Sequence, residues 1–181
     1  MHDPARDFDF WIGDWQADNR RLVRRLAGSD DWESFTSTSR VRALPGGIGN
    51  FDDWVADTWR PGYVGMSLRV YCPRTRRWSI WWLENQTGGL DAATGHLNPP
   101  VVGGFEGGVG TFVSRESWEG RPILCRFVWS DITPVSAHWE QAFSVDEGAT
   151  WEVNWTMRMT RLTAPPARPG SSGPVAPPAA P

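Results

Sequence analysis

Side chains along this chain alternate between apolar and polar at a period of two, in segment after segment, which restricts the fold to one built from half-buried β-strands. Met66, Leu68, Val70 and Cys72 oppose Ser67, Arg69 and Tyr71, and Trp78, Ile80 and Trp82 oppose Ser79, Trp81 and Leu83. The pattern sharpens later. Ile123, Cys125, Phe127 and Trp129 oppose Leu124, Arg126, Val128 and Ser130, and Trp139, Gln141 and Phe143 oppose His138, Glu140 and Ala142. A last segment sets Trp151, Val153, Trp155, Met157 and Met159 against Glu152, Asn154, Thr156, Arg158 and Thr160. Turn sequences such as Asp131-Ile132-Thr133-Pro134 and Asp146-Glu147-Gly148 separate these runs. Further strand candidates lie at 15–26, 33–44, 51–59, 101–106 and 109–118, leaving helix only a turn near residues 8–12. A meander of about eight to ten antiparallel strands ordinarily closes on itself, because closure removes exposed edges. The expected fold class is all-β: a single antiparallel up-and-down β-barrel of about eight to ten strands with a short N-terminal helical turn.

Thirteen of the 181 residues are Trp, and most fall in these alternating segments. An indole buries a large apolar area yet carries an N–H that needs a partner, so a dense set points to an aromatic core or the wall of a ligand cavity. The length suits one core, expected to span residues 1–162, whereas 163–181 turns to Ala, Pro, Gly and Ser, the composition of a disordered tail. Net charge is −3 and the basic residues are scattered, so neither nucleic acid nor an anionic membrane is expected as a partner. Every basic residue other than His is Arg, which excludes Schiff-base and P-loop lysine chemistry. The charged N-terminus and the lack of a long apolar run predict a cytoplasmic protein. Cys72 and Cys125, flanked by apolar residues, fit reduced thiols better than a disulfide.

Phe8-Asp9-Phe10-Trp11-Ile12-Gly13-Asp14-Trp15 resembles the opening turn and Gly-x-Trp motif of the calycin superfamily, the lipocalins and fatty-acid-binding-protein-like barrels. That resemblance implies that Trp15 plugs one barrel end with an Arg of the last strand, Arg158 or Arg161, packed over it. More closely, Asn19-Arg20-Arg21-Leu22, Gly120-Arg121-Pro122-Ile123-Leu124, Trp139-Glu140-Gln141-Ala142-Phe143-Ser144 and Trp151-Glu152-Val153-Asn154-Trp155 resemble a group of uncharacterised bacterial calycin-like proteins. The lipocalin leader and disulfides are absent, and the haem-pocket signature of nitrobindin-like barrels does not follow Trp15, which argues against odorant carriage and haem. The run 144–151 resembles the Asp-box of propeller glycosidases, whose physical content is a hairpin.

No cofactor is expected, because Gly103 to Gly110 is followed by neither a helix pattern nor a lysine, as a phosphate cradle would require. No metal is expected either, since His2, His96 and His138 share no ligand spacing with each other or with the cysteines. Arg126, Glu140 and Asn154 share one strand face across three consecutive segments, with Arg69, Trp81 and Glu84 as extensions. Two facings stay open. If that row lines the barrel, Glu140 is an acid/base and Arg126 an anion stabiliser; if the Trp row points inward, the polar row is an exterior with a cross-strand ion pair. Leu124, Val128, Ala142 and Trp81 on the polar face would be reconciled with an exterior if a second copy covered it as a homodimer. The expected ligand is a small hydrophobic or aromatic metabolite, held by Arg69, Trp81, Trp82, Trp129, Trp139, Asn154 and Trp155. The alternative is a cofactor-independent cyclase, isomerase or hydratase of a secondary metabolite, with Glu140 and Arg126 as catalytic residues.

Overall fold

The computed structural model describes residues 2–162, so the tail expected at 163–181 lies outside the described residues. Ten antiparallel strands follow one another: β1 (Gly13–Leu22), β2 (Trp32–Ala43), β3 (Gly49–Val55), β4 (Val64–Cys72), β5 (Arg77–Glu84), β6 (Val101–Glu106), β7 (Val109–Trp118), β8 (Arg121–Ser130), β9 (Ser136–Ser144) and β10 (Glu152–Arg161). Each pairs with its neighbour in sequence, and β1 also pairs with β10 from Trp15 opposite Arg161 to Arg21 opposite Trp155, closing the barrel. All ten expected segments are strands, with two boundary corrections. β1 stops at Leu22 and not at 26, and β3 stops at Val55 and not at 59, because residues 56–63 turn back on themselves through the Trp59 and Arg60 amides bonded to Ala56 O. Among the described residues no helix is long and apolar enough to cross a membrane.

One end of the barrel is plugged. Two 3-10 turns, Pro4–Arg6 and Asp9–Trp11, carry Phe8 and Trp11 inside, where both are buried. Phe8 meets Trp78, Phe105 and Trp129 edge-on at centroid distances of 5.0, 4.9 and 5.7 Å, the favoured aromatic geometry. Trp11 stacks on Trp15 at 4.6 Å, and the Arg161 guanidinium lies 4.2 Å from the Trp15 ring centroid. Arg161 donates from Nε to Pro134 O at 2.8 Å, from Nη1 to Ile12 O at 2.6 Å, and from Nη2 to Phe10 O. A cation from the last strand therefore ties the N-terminal turn to the 131–135 loop. Gly13 is required here: its φ is +122°, and a Cβ would sit 2.5 Å from Arg161 Nη1.

Hydrophobicity does not decide the facing of every strand. In β4 it is the polar row that turns inward, with Arg69 buried and Ser67 lining the interior, while Met66, Leu68 and Val70 lie on the outer row. The reason lies across the barrel wall. Asn50 and Asp52 of β3 face in and are buried, and Arg69 completes their hydrogen bonds. The 144–151 loop is the hairpin its sequence describes: Asp146 accepts from Thr150 N at 2.9 Å and Thr150 Oγ1 at 2.6 Å, Gly148 takes φ +90°, and Trp151 Nε1 donates to Gly148 O at 3.0 Å. These donors hold the Asp146 carboxyl down at about 2.

Replacing Arg161 by Met removes three charge-assisted bonds and leaves backbone carbonyls unpaired. A loss of about 3 kcal/mol in urea unfolding with an unchanged slope is expected, and a loss below about 0.5 kcal/mol would remove Arg161 from the clamp.

Candidate functional site

Above the plug the barrel encloses a cavity of about 630 Å³. Seven indoles line it: Trp11, Trp54, Trp82, Trp118, Trp129, Trp139 and Trp155. The inward rows of β5, β8, β9 and β10 supply Trp82, Trp129, Trp139 and Trp155, while Trp54 comes from β3 and Trp118 from the end of β7. Two rings are fixed by their N–H groups. Trp155 Nε1 donates to Asn19 Oδ1 at 3.0 Å, and Asn19 Nδ2 in turn donates to Ser37 Oγ at 2.8 Å, so that ring is held by the neighbouring strands β1 and β2. Trp11 Nε1 reaches Asp52 Oδ2 at 3.2 Å. Edge-to-face contacts join the upper rings, with Trp54 against Trp82 and Trp155 at 5.8 Å each and Trp139 against Trp155 at 6.0 Å. On the same side of the mouth Trp59, from the 56–63 loop, stacks flat on Phe35 at 4.6 Å.

Polar groups in the wall are few and mostly paired. Arg69 Nη2 donates to Asp52 Oδ2 at 2.9 Å and Nη1 to Asn50 Oδ1 at 3.1 Å, with both charged side chains 4% exposed. Asp52 Oδ1 also accepts from Ser67 N at 2.7 Å, so the carboxylate is satisfied within the wall, while Arg69 Nε is left without a partner among the described residues. Gln141 is held by Nε2 donation to Asn154 Oδ1 at 2.8 Å. Near the mouth, Glu116 lines the cavity with Ser114 Oγ donating to its carboxylate; burial pushes its carboxyl above the ordinary value, with the Ser114 bond acting the other way. Cys125, beside it in the lining, is pushed well up by burial and then by the Glu116 charge, so it is a neutral thiol. Cys125 and Cys72 are both free thiols, Cys72 being partly exposed. Arg25, from the loop after β1, also faces the cavity. Among the described residues no group of three or more His, Cys, Asp or Glu is placed to hold a metal ion.

The structure separates the residues singled out in the sequence. Trp82, Trp129, Trp139, Trp155 and Arg69 line the cavity. Arg126, Glu140, Asn154 and Trp81 do not line it. Arg126 alternates with the inward Cys125 and Phe127, and Glu140 with the inward Trp139 and Gln141, so both point outward. There they form a 3.6 Å ion pair, each side chain 25% exposed, with Arg126 4.3 Å from the Trp151 ring centroid. Trp81 alternates with the inward Ile80 and Trp82 and pairs with Leu68 on the outer row. Asn154 departs for a different reason. A β-bulge between Val153 and Trp155 breaks the alternation, leaves Asn154 without a partner residue on β9, and buries its side chain against Gln141.

Arg25, Glu116, Asp52 and Gln141 were missed. Glu116 and Asp52 carried a usable signal, since each shares strand parity with an inward aromatic, Trp118 and Trp54 respectively. Arg25 lies in a loop, where periodicity says nothing.

No protein-family model matches the chain, and no curated protein matches it. Among solved structures, one from Nostoc punctiforme, a protein of unknown function from the DUF3598 family, is similar over 86% of this chain with a TM-score of 0.50 and 13% identity. The chain spans about half of that protein, 49% of its length, and the likeness concerns the fold alone.

The buried carboxyl gives a pH test. A carboxyl whose folded value is raised contributes fully to stability while protonated, below its ordinary 4.5, and that contribution is lost as pH rises through the folded value. Glu116→Gln is therefore expected to gain stability relative to the native protein between pH 4 and pH 7.5 in urea unfolding. A difference that does not change with pH would contradict the burial of this group.

Proposed function

We propose that this protein binds a small hydrophobic or aromatic molecule inside its barrel. The observation that carries the reading is the cavity itself: about 630 Å³ within one plugged barrel, walled by seven indoles. Ligand sites of small molecules occupy roughly 300–1,000 Å³ and are mostly apolar with a few placed polar groups, which describes this wall. Trp82, Trp129, Trp139 and Trp155 supply flat faces, and the Asp52–Arg69 pair and Gln141 supply fixed polarity below them. The ten-strand closure and the stacking of Arg161 on Trp15 support reading the chain as a calycin-like barrel, a class whose interiors take up such molecules.

A second reading is favoured by one observation, the buried Glu116 carboxyl in the cavity wall. A carboxyl held above its ordinary value gives up its proton less readily than a free one and is a better general acid, so a cofactor-independent isomerase or cyclase would use Glu116 in place of the outward Glu140.

One experiment addresses both. The purified protein is incubated with a metabolite extract of its own organism, and bound and free compounds are compared by mass spectrometry. A compound retained at unchanged mass is expected, and Ser39→Phe, which fills part of the cavity from β2, is expected to cut its retention at least tenfold while the circular dichroism of the barrel persists. An isomeric product formed over many turnovers, and lost in Glu116→Gln, would establish the second reading. No compound retained and none converted would overturn both.

A further inference from the structure

Four arginines stand in or beside the cavity, and three of them already have partners. Arg69 is bound to Asp52 and Asn50. Arg115 forks onto Glu147 at 2.9 and 2.6 Å. Arg21, at the end of β1, donates to Glu33 at 2.8 Å. Arg25 differs: among the described residues its guanidinium makes no hydrogen bond and has no carboxylate within 4.0 Å. What surrounds it is aromatic, with Trp118, Phe143 and Trp155 at 5.0, 5.5 and 5.7 Å from ring centroid to guanidinium carbon. All three rings also line the cavity.

The local backbone is bent to hold Arg25 there. Leu26 adopts φ +55°, a left-handed conformation that a branched side chain resists, and its amide is pinned by Glu152 Oε1 at 2.8 Å. The nearby carboxylates are thus committed elsewhere, Glu152 to this turn and Glu33 to Arg21. Desolvation, followed by repulsion from Arg21, lowers the Arg25 value to about 10, so it is still a cation at neutral pH. A guanidinium partly removed from water, with Nε buried and unpaired and ring faces around it, leaves most of its donor capacity unused by the protein.

We infer that the cavity mouth is an anion site, in which Arg25 receives the carboxylate of an amphiphilic ligand whose apolar body lies inward against the indoles. This rests on the binding reading above and adds a chemical class and an orientation to it. The ligand enters apolar end first, because the inner cation, Arg69, is already neutralised by Asp52. A monoanion fits the rim better than a dianion. Of the described arginines that line the cavity only Arg25 has a free guanidinium, and the rim also holds Glu116 and Asp91, the latter occupied by Ala93 N, Thr94 N and Thr94 Oγ1 at 3.1, 2.8 and 2.8 Å. A doubly charged head group would meet uncompensated repulsion there.

The test uses two probes of one shape, 1-pyrenebutyric acid and 1-pyrenebutanol, titrated into the full-length protein and followed by quenching of its Trp emission. A charge-assisted bond to a partly desolvated guanidinium is expected to favour the acid about tenfold or more. In Arg25→Met, which keeps the apolar stem, the ratio of the two dissociation constants is expected to fall to about one, and Arg25→Lys is expected to retain part of the preference. Circular dichroism checks that each variant is folded. Equal binding of acid and alcohol by the native protein, or a preference that survives in Arg25→Met, would overturn the anion site while leaving cavity binding in place. Binding of neither probe would overturn both.

Discussion

Hydrogen bonding between the first and last strands governs the rest of this molecule. Because β1 pairs with β2 on one side and β10 on the other, the sheet has no edge, and its inner face becomes an enclosed volume. The same pairing sets Trp15 opposite Arg161, so closure and the plug are built by one register. Arg161 then gathers Phe10, Ile12 and Pro134 through their carbonyls, and the N-terminal turn is drawn in as a floor. With that end filled by Phe8, Trp11 and Trp15, the remaining volume extends toward the other end, where Arg25, Asp91 and Glu116 line it.

Several polar side chains of the interior pair with one another. Asp52 and Arg69 balance each other, Asn19 serves Trp155 and Ser37, and Asn154 serves Gln141. Each of these bonds fixes a wall residue and leaves ring faces toward the void. Two groups near the mouth are held less completely, the Glu116 carboxyl with its single Ser114 bond and the Arg25 guanidinium on its three rings.

Strand content and order were legible in the sequence because alternation is a local property that survives from segment to segment. The Trp rows of β5, β8 and β9 were equally visible as rows, but alternation alone left their facing open, and the closed barrel turns them inward. Two things escaped. The inward turn of Arg69 with Ser67 depends on Asn50 and Asp52 of a different strand, so β4 read alone shows its oily face as the inner one. Asn154 joins the interior through a bulge, where one inserted residue departs from the parity that Trp155, Met157 and Met159 keep. Arg126 and Glu140 looked like site residues because their row carried apolar neighbours. Those neighbours instead belong to a half-buried outer surface on which the two charges pair.

The central claim is that ligand meets the inward indoles and no others. Labelling the protein with 5-fluorotryptophan, assigning each fluorine resonance by single Trp→Phe replacements, and adding 1-pyrenebutanol reads all thirteen sites at once. The account requires the resonances of Trp82, Trp118, Trp139 and Trp155 to move, with Trp32 and Trp81 unchanged. Movement confined to Trp32 and Trp81, or no movement at saturating probe, would contradict it.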